Sequence, residues 1–522
     1  MSDDKSVDDK VKELLARPVE SMADAEALEH IGGIVDLGAD LQSSEITDKV
    51  IQLLDALGTR SLSEGHEVLR LYFLSNAYAT RVALAGQSAV WVWEQTDRQK
   101  QIIELRRAIR HPGFERIDPQ RQCQILTNLA NQLNTVGRFV EAIELWDRAL
   151  AVNPNFAMAL GNRGAALLHY ARALYHRGHA GLMYVAGHDS LDRAVAEAAE
   201  YDMAEPDEIR KWFTKVRDGL LKKVRIEEIR ESVALDGNSL GETADEKDYR
   251  TWGLRNRLFL NPLNDLGPHS IAARDTLMLP PLRAPISVLP PPYIGFFNQM
   301  KQEFVSARFS YYEGITSHGV HFSDRDVLLY NTLEYPVYCL AVERLRAAYR
   351  VAYSLLDKIG FFVNSYFAVG YKPNEVNFSK VWREPPGKRP KVSDRFANHQ
   401  NWPLRGLYWL SKDIFEGELQ AITEPDAQAL KEVREHLEHK YLQVHQEWAV
   451  DEPSRGTENL AVYPLGRDVL SVRTLRVLKL VRAALTYLSL AVHREEQERE
   501  SANGAAFVAS SMLEPWDDDW KQ

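Results

Sequence analysis

Residues 432–448 read EVREHLEHKYLQVHQEW, placing Arg434, His436, His439 and His445 among apolar residues at helical spacing. Two readings compete. The stretch is either one solvated helix face, or a bundle helix that carries Arg434 and His439 as half of a catalytic site. Spacing alone does not separate them. Arginine precedes histidine by a similar interval at Arg60 and His66, Arg106 and His111, Arg163 and His169, and Arg172 and His179. At those four positions a helix surface or a loop is the ordinary expectation, so the surroundings of Arg434 must decide.

Those surroundings are helical. FFNQMKQEFVSARFSYY (296–312) sets Phe297, Met300, Phe304, Ala307 and Tyr311 on one stripe. PVYCLAVERLRAAYRVAYSLLDKI (336–359) opens with Pro336 at a plausible first turn. WPLRGLYWLSKDIF (402–415), the quoted stretch after TEPDAQAL, and DVLSVRTLRVLKLVRAALTYLSLAV (468–492) complete five helices. Residues 296–500 therefore read as an antiparallel bundle with one appended helix. AALTYLSLAV (483–492) is far too short to span a bilayer and reads as a buried helix.

The preceding stretch, 236–295, is rich in proline yet apolar, as in NRLFLNPLNDLGPHS and LMLPPLRAPISVLPPPY. Long helices are excluded there, and an ordered, packed connector is expected. Residues 45–235 are helical again. In QILTNLANQLNTVGRFVEAIELWDRALAVNP (124–154), Leu126, Leu129, Ala130 and Leu133 share one helix face and Gly137 opens a turn. Ala142, Leu145, Trp146 and Ala149 line a second helix that Pro154 ends. This unit resembles a tetratricopeptide repeat (TPR). FAMALGNRGAALL (156–168) repeats its beginning with Leu160 and Gly164, and EVLRLYFLSNAYATRVAL (67–84) is similar to a degenerate copy. One repeat cannot bury its own face, so a stacked TPR-like α-solenoid is expected over 45–235. Residues 1–44 read as a polar segment and 501–522 as an acidic tail. The fold class is all-α.

Composition narrows the function. The 522 residues are 45% apolar and 26% charged with a formal net charge of −11, so nucleic acid would be met by a local basic patch rather than by the whole surface. Cys123 and Cys339 are the only cysteines, which suits a reducing, cytoplasmic setting. No phosphate loop, dinucleotide fingerprint, HExxH or GxSxG elbow occurs. His436 and His439 can share a helix face, but no cysteine or carboxylate set beside them completes a metal site.

REHLEHKYL after an acidic-start helix, with LRGLYWLSKDIF upstream, RLFLNPLNDLG (257–267) in the connector and WDDDW (516–520) near the end, resembles the HEPN superfamily. The best match is the bacterial subfamily in which a TPR-like array precedes the HEPN bundle, and the resemblance runs from about Tyr249 to the C-terminus. It implies a bundle that forms homodimers or larger assemblies and cleaves RNA without a metal or other cofactor. It assigns the catalytic arginine to Arg434 and the histidine to His439. Glu435 departs from the Asn, Asp or His usual after that arginine, and its charge would weaken phosphate attraction unless it points away. A role in bacterial toxin or antiphage defence, with a protein or peptide ligand in the TPR-like groove, is implied by the resemblance alone.

The side chains fit that chemistry. RNA carries its own nucleophile, the 2′-hydroxyl. Imidazole can take that proton or protonate the leaving oxygen, and guanidinium can hold the phosphate oxygens as charge builds. Five helix positions turn about 140°, so Arg434 and His439 do not share a face, and a two-fold dimer is expected to assemble the composite site. Asp413 can orient the imidazole or bond the arginine; Glu438 and His436 are accessory candidates, and helix-surface solvation is an equal reading for Asp413. KVWREPPGKRPKVSDR (380–395) offers Lys388, Arg389, Lys391 and Arg395 to an RNA backbone, or is simply a solvated charge run. The competing function is a non-catalytic scaffold in which the bundle only dimerises. A third is a nucleotide-binding partner of a nucleotidyltransferase.

Overall fold

A computed structural model describes residues 11–86, 90–203, 205–284, 292–331, 333, 335–384, 391–397, 399–417, 419, 427–446, 462–502, 509–510 and 517–521. Among the described residues the chain is all-α apart from two small two-stranded sheets. Its first half is a run of helices joined by short turns: α1 (Asp24–Asp40), α2 (Ser44–Leu57), α3 (Glu64–Leu84), α4 (Thr96–Arg110), α5 (Pro119–Thr135), α6 (Phe139–Val152), α7 (Ala157–Ala173), α8 (Arg177–Val195), α9 (Asp207–Leu221) and α10 (Ile226–Ser232). Neighbours pack as hairpins, most closely α3 with α4, α5 with α6 and α7 with α8.

Local chemistry sets the boundaries. Asp118 caps α5 by accepting from the amides of Gln120 and Arg121, and Pro119 starts the helix where its missing N–H costs nothing. Gly137 then turns the chain at φ +91°, open to glycine and costly for other residues. Leu126, Leu129, Ala130 and Leu133 of α5 are buried against Ala142, Trp146 and Ala149 of α6, and α6 ends at Val152 before Pro154.

The second half contains α11 (Ala244–Arg255), α12 (Pro292–Thr316), α13 (Leu340–Tyr366), α14 (Trp402–Phe415), α15 (Ala427–His439) and α16 (Arg467–Ala502). The long α16 is central and touches α12, α13 and α14, while α15 lies outside on α13 and α14. Residues 483–492 of α16 are all buried, as are Phe297, Met300, Phe304, Ala307 and Tyr311 of α12. None of the described helices is long and apolar enough to cross a membrane.

The two halves share one apolar core that runs from Val68 in α3 to Val492 in α16. Their junction is α14, buried from Trp402 to Ile414. Trp402 stacks on Phe139 with ring centres 4.4 Å apart and donates its indole N–H to the Asn134 carbonyl at 2.7 Å. The connector locks the same junction. Asp265 is fully buried, receives the Tyr170 hydroxyl of α7 at 3.0 Å and is paired with Arg482 of α16. Arg482 also donates to the carbonyls of Phe259 and Asn261, at 2.9 and 2.8 Å.

Several expectations are corrected. A helix, α1, occupies residues 24–40 of the segment read as polar, because Ala27, Leu28, Ile31, Ile34 and Val35 form a stripe that packs on α2 and α3. The connector includes the helix α11. Pro336 is not in a first turn: α13 starts at Leu340, and Pro336 instead bridges to His445. The quoted stretch is not one helix. It ends at His439, and Tyr441–His445 forms β2, paired in parallel with β3 (Val462–Gly466). Outside the sheet, Val337 donates its N–H to the Val444 carbonyl at 2.7 Å. The other sheet pairs β1 (Arg283–Ala284) with β4 (Ala509–Ser510). Trp448 lies outside the described residues.

Candidate active site on the Arg434–His439 helix

α15 carries both candidate residues, and one stripe of α13 holds it. Tyr349 donates its hydroxyl to the Leu430 carbonyl at 2.6 Å, and Arg350 reaches the Leu437 carbonyl at 2.5 Å. The second bond satisfies a carbonyl of the last turn, which has no partner within the helix. Past the helix end, Arg346 donates to the carbonyl of Leu442, the second residue of β2, at 2.7 Å. Positions 346, 350, 353 and 357 fall on one face of α13, so the motif helix is clamped along its length.

Arg434 meets the far end of that stripe. Its Nη2 lies 3.0 Å from Asp357 Oδ2, and its guanidinium carbon sits 4.8 Å from the centre of the Tyr353 ring. Burial pushes the Tyr353 hydroxyl up to about 12, partly offset by Arg434. The Arg434 side chain stays 40% exposed, so the ring and carboxylate fix one edge while the other faces solvent. The guanidinium is thus held on one edge and open on the other. Tyr353 and Asp357 were not singled out from the sequence; their spacing of one helical turn was the available signal.

His439 is the last residue of α15 and is exposed, with no hydrogen bond to a described residue. Glu438 is also exposed. Glu435 points to solvent and pairs with Lys440 at 3.1 Å, which holds its carboxyl below the ordinary range. Its charge is therefore partly neutralised. His436 is buried instead, with Nδ1 2.8 Å from the Glu432 carbonyl and its ring on Tyr463. It helps seat α15 on β3 and cannot reach a substrate from there.

Asp413 corrects the sequence reading most sharply. It bonds neither Arg434 nor His439. Its carboxylate is buried under two arginines of the first half, Arg106, at 2.8 Å through both oxygens, and Arg138. Burial alone would raise its pKa, but these cations hold it down to about 2. Asp413 is an anchor between the halves. Arg106, one of the four arginines with a following histidine, is thereby accounted for.

In the basic loop, Lys391 and Arg395 are exposed, and Lys391 pairs with Asp394 at 2.6 Å. Glu384 donates its amide to the Lys391 carbonyl, closing the loop's base as a narrow hairpin. Trp382 is buried against Trp93, Phe396 and Tyr408 and is no stacking platform for a base. Lys388 and Arg389 lie outside the described residues. For a metal, the grouping with suitable spacing among the described residues is His399, Glu495 and Glu498. Glu495 is already engaged by His399 at 3.0 Å and by Arg499 at 3.1 Å, an ion-pair network rather than an open ligand set. Cys123 and Cys339 are both free thiols.

No curated protein and no solved structure matches the chain. Residues 286–495 match the family described as LA2681-like HEPN. The match takes in α12 to α15 and α16 as far as Glu495, and leaves out α11 and the tail that the wider resemblance included. Residues 286–495 are thus similar to LA2681-like HEPN domains, and Arg434 and His439 lie on the outer helix of the matched segment.

Proposed function

We propose that the HEPN domain is a metal-independent endoribonuclease whose site is completed by a second copy of the chain. The observation that carries this is the state of α15. Arg434 is pre-oriented with a free edge toward solvent, and His439 stands open at the helix end on a different face. A two-fold contact along this helix would bring two such arginines and two imidazoles to one seam. The histidine would take the 2′-hydroxyl proton, and that oxygen would attack phosphorus. The 5′-oxygen would leave with a proton from the second imidazole, giving a 2′,3′-cyclic phosphate and a 5′-hydroxyl. Arg434 would hold the non-bridging oxygens as their charge grows.

Support for the dimer comes from the segment leading into α13. Val327, Leu328, Leu329, Tyr330, Leu333 and Tyr335 are exposed, Leu328 by 98% and Tyr330 by 97%. The segment ends where Tyr338 bonds Tyr441, two residues past His439. So much apolar surface beside the motif helix favours burial against a partner. Lys391 and Arg395 would add backbone contacts to RNA. A protein or peptide ligand of the repeats, and a toxin or antiphage role, belong to the same reading. Such a ligand would use α1–α3, because the face bearing Phe139 and Tyr170 is filled by α14 and the connector. A silent scaffold is the alternative. The Arg434–Asp357 pair and Glu435 favour it, since both lower the positive charge on offer to phosphate.

Purified chain incubated with total RNA, with and without a chelator, tests the reading. Chelator-resistant cleavage that leaves cyclic phosphate ends and disappears in His439→Ala is expected. Cleavage that persists in that variant refutes the assignment.

A further inference from the structure

Helix α9 and the turn after it, DEIRKWFTKVRDGLLKK (207–223), carry six cations against three carboxylates on a chain whose formal net charge is −11. The inner face of α9 is apolar. Phe213 and Leu220 are buried in a cluster with Leu160, Leu168 and Leu191 of α7 and α8. Phe213 lies so close to α7 that a Cβ built on Gly161 would stand 2.1 Å from its ring. That seat fixes the rotation of α9. Lys211, Lys215 and Lys222 then fall within about 40° of one another on the outer face, and Trp212 and Lys223 form a second row beside them. From Lys211 to Lys223 the face runs about 18 Å.

These lysines are available. Lys211, Lys215, Lys222 and Lys223 are all exposed, and their side chains make no ion pair or hydrogen bond to a described residue. The arginines of α9 are occupied instead: Arg217 pairs with Asp218 and Asp192, each at 3.0 Å, and Arg210 lies over the Tyr201 ring at 5.0 Å. On α10, Glu228 is taken up by Arg225 and Glu227 by Arg230. Asp207 and Glu208 stand in the first turn of α9, where the helix N-terminus favours them. Trp212 is 48% exposed, a large flat ring beside the lysine row.

The form of the face selects its occupant. A helix that lies on a membrane turns its apolar side outward, whereas that of α9 is sunk into the repeats. A peptide takes a groove or a sheet edge, and this face is the convex side of one helix. A row of ammonium groups with an open indole suits a single nucleic-acid strand, whose phosphates follow the charges and whose bases stack on the ring.

We propose that the outer face of α9 binds single-stranded RNA, with phosphates on Lys211, Lys215, Lys222 and Lys223 and a base stacked on Trp212. The choice of RNA rests on the ribonuclease reading of α15; the face itself holds a strand without cutting it.

Fluorescence anisotropy of the full chain with a labelled single-stranded RNA of about 20 nucleotides tests it, the 2′-oxygens being methylated so that binding is read without cleavage. Saturable binding that weakens with salt is expected. Replacing the four lysines together by alanine should lower affinity ten-fold or more and reduce the slope of log affinity against log salt by about 3. Trp212→Ala should lower affinity roughly five-fold or more. The lysines are exposed, so circular dichroism of their variant should match the parent chain. Affinity and slope unchanged in the lysine variant, or binding to phosphatidylserine vesicles without binding to RNA, overturns the site. Duplex RNA bound as tightly as the single strand overturns the stacked base. Cleavage of unmodified RNA is scored separately: its absence, with lysine-dependent binding intact, removes the ribonuclease reading and leaves this site standing.

Discussion

Gly406 of α14 lies against Gly137 of the α5–α6 turn so closely that a Cβ built on Gly406 would stand 2.3 Å from the Gly137 carbonyl oxygen. The clash is with backbone, which no rotamer change relieves. Gly406→Ala is therefore expected to lose about 1–3 kcal/mol, the usual range for overpacking, and to loosen the contact between the halves. Urea unfolding of the variant measures this, and a midpoint equal to that of the parent chain would remove the contact's importance.

Asp413 joins the halves by charge. Its carboxyl is held down to about 2, below an unfolded value near about 3.9, so its contribution is complete above pH ~4. That contribution is lost as pH falls through the folded value. Asp413→Asn leaves Arg106 and Arg138 without their shared anion and is expected to cost roughly 3–5 kcal/mol at neutral pH. Between pH ~4 and ~2 the variant should lose less stability than the parent. Parallel acid titrations that track each other throughout would contradict this.

Arg434 and Asp357 form a half-exposed pair, 40% and 31% accessible, of the kind worth about 0–1 kcal/mol. Arg434→Ala should accordingly keep its melting temperature within a few degrees while losing RNA cleavage. If the variant unfolds early, Arg434 is a structural residue and its assignment to phosphate fails.

Leu328 and Tyr330, almost fully exposed, are expected at the two-fold contact. Leu328→Asp with Tyr330→Asp should shift the chain toward monomer in sedimentation and reduce cleavage in the same concentration range, without altering helix content. A dimer that survives both charges moves the contact elsewhere.

Much of this was legible in the sequence because periodicity reports local burial. The stripes on α5 and α12 are buried where their spacing places them, as is that of α6 apart from the half-buried Leu145, and the helix at 483–492 is buried throughout. The end of α15 was not legible. Val433 and Leu437 continue at helical spacing into Leu442 and Val444, which face the core from a strand instead. β3 and the Val337 amide supply partners from outside the local segment, and no local pattern announces them. For Asp413 the sequence offers the motif's imidazole, its arginine or solvent, whereas its actual partners lie more than two hundred residues earlier.

The sequence by itself determined the helical class, the bundle helices α12 to α16 and the placing of Arg434 with His439 on one element, because each follows from residue type at short range. Tertiary structure alone decided which charges meet. It set Arg434 on Asp357, buried Asp413 under Arg106 and Arg138, and gathered arginines from α4, α6 and α16 around one cavity. Electrostatic partners are chosen by distance in space and by exclusion of water, and neither is written in the spacing of residues along the chain.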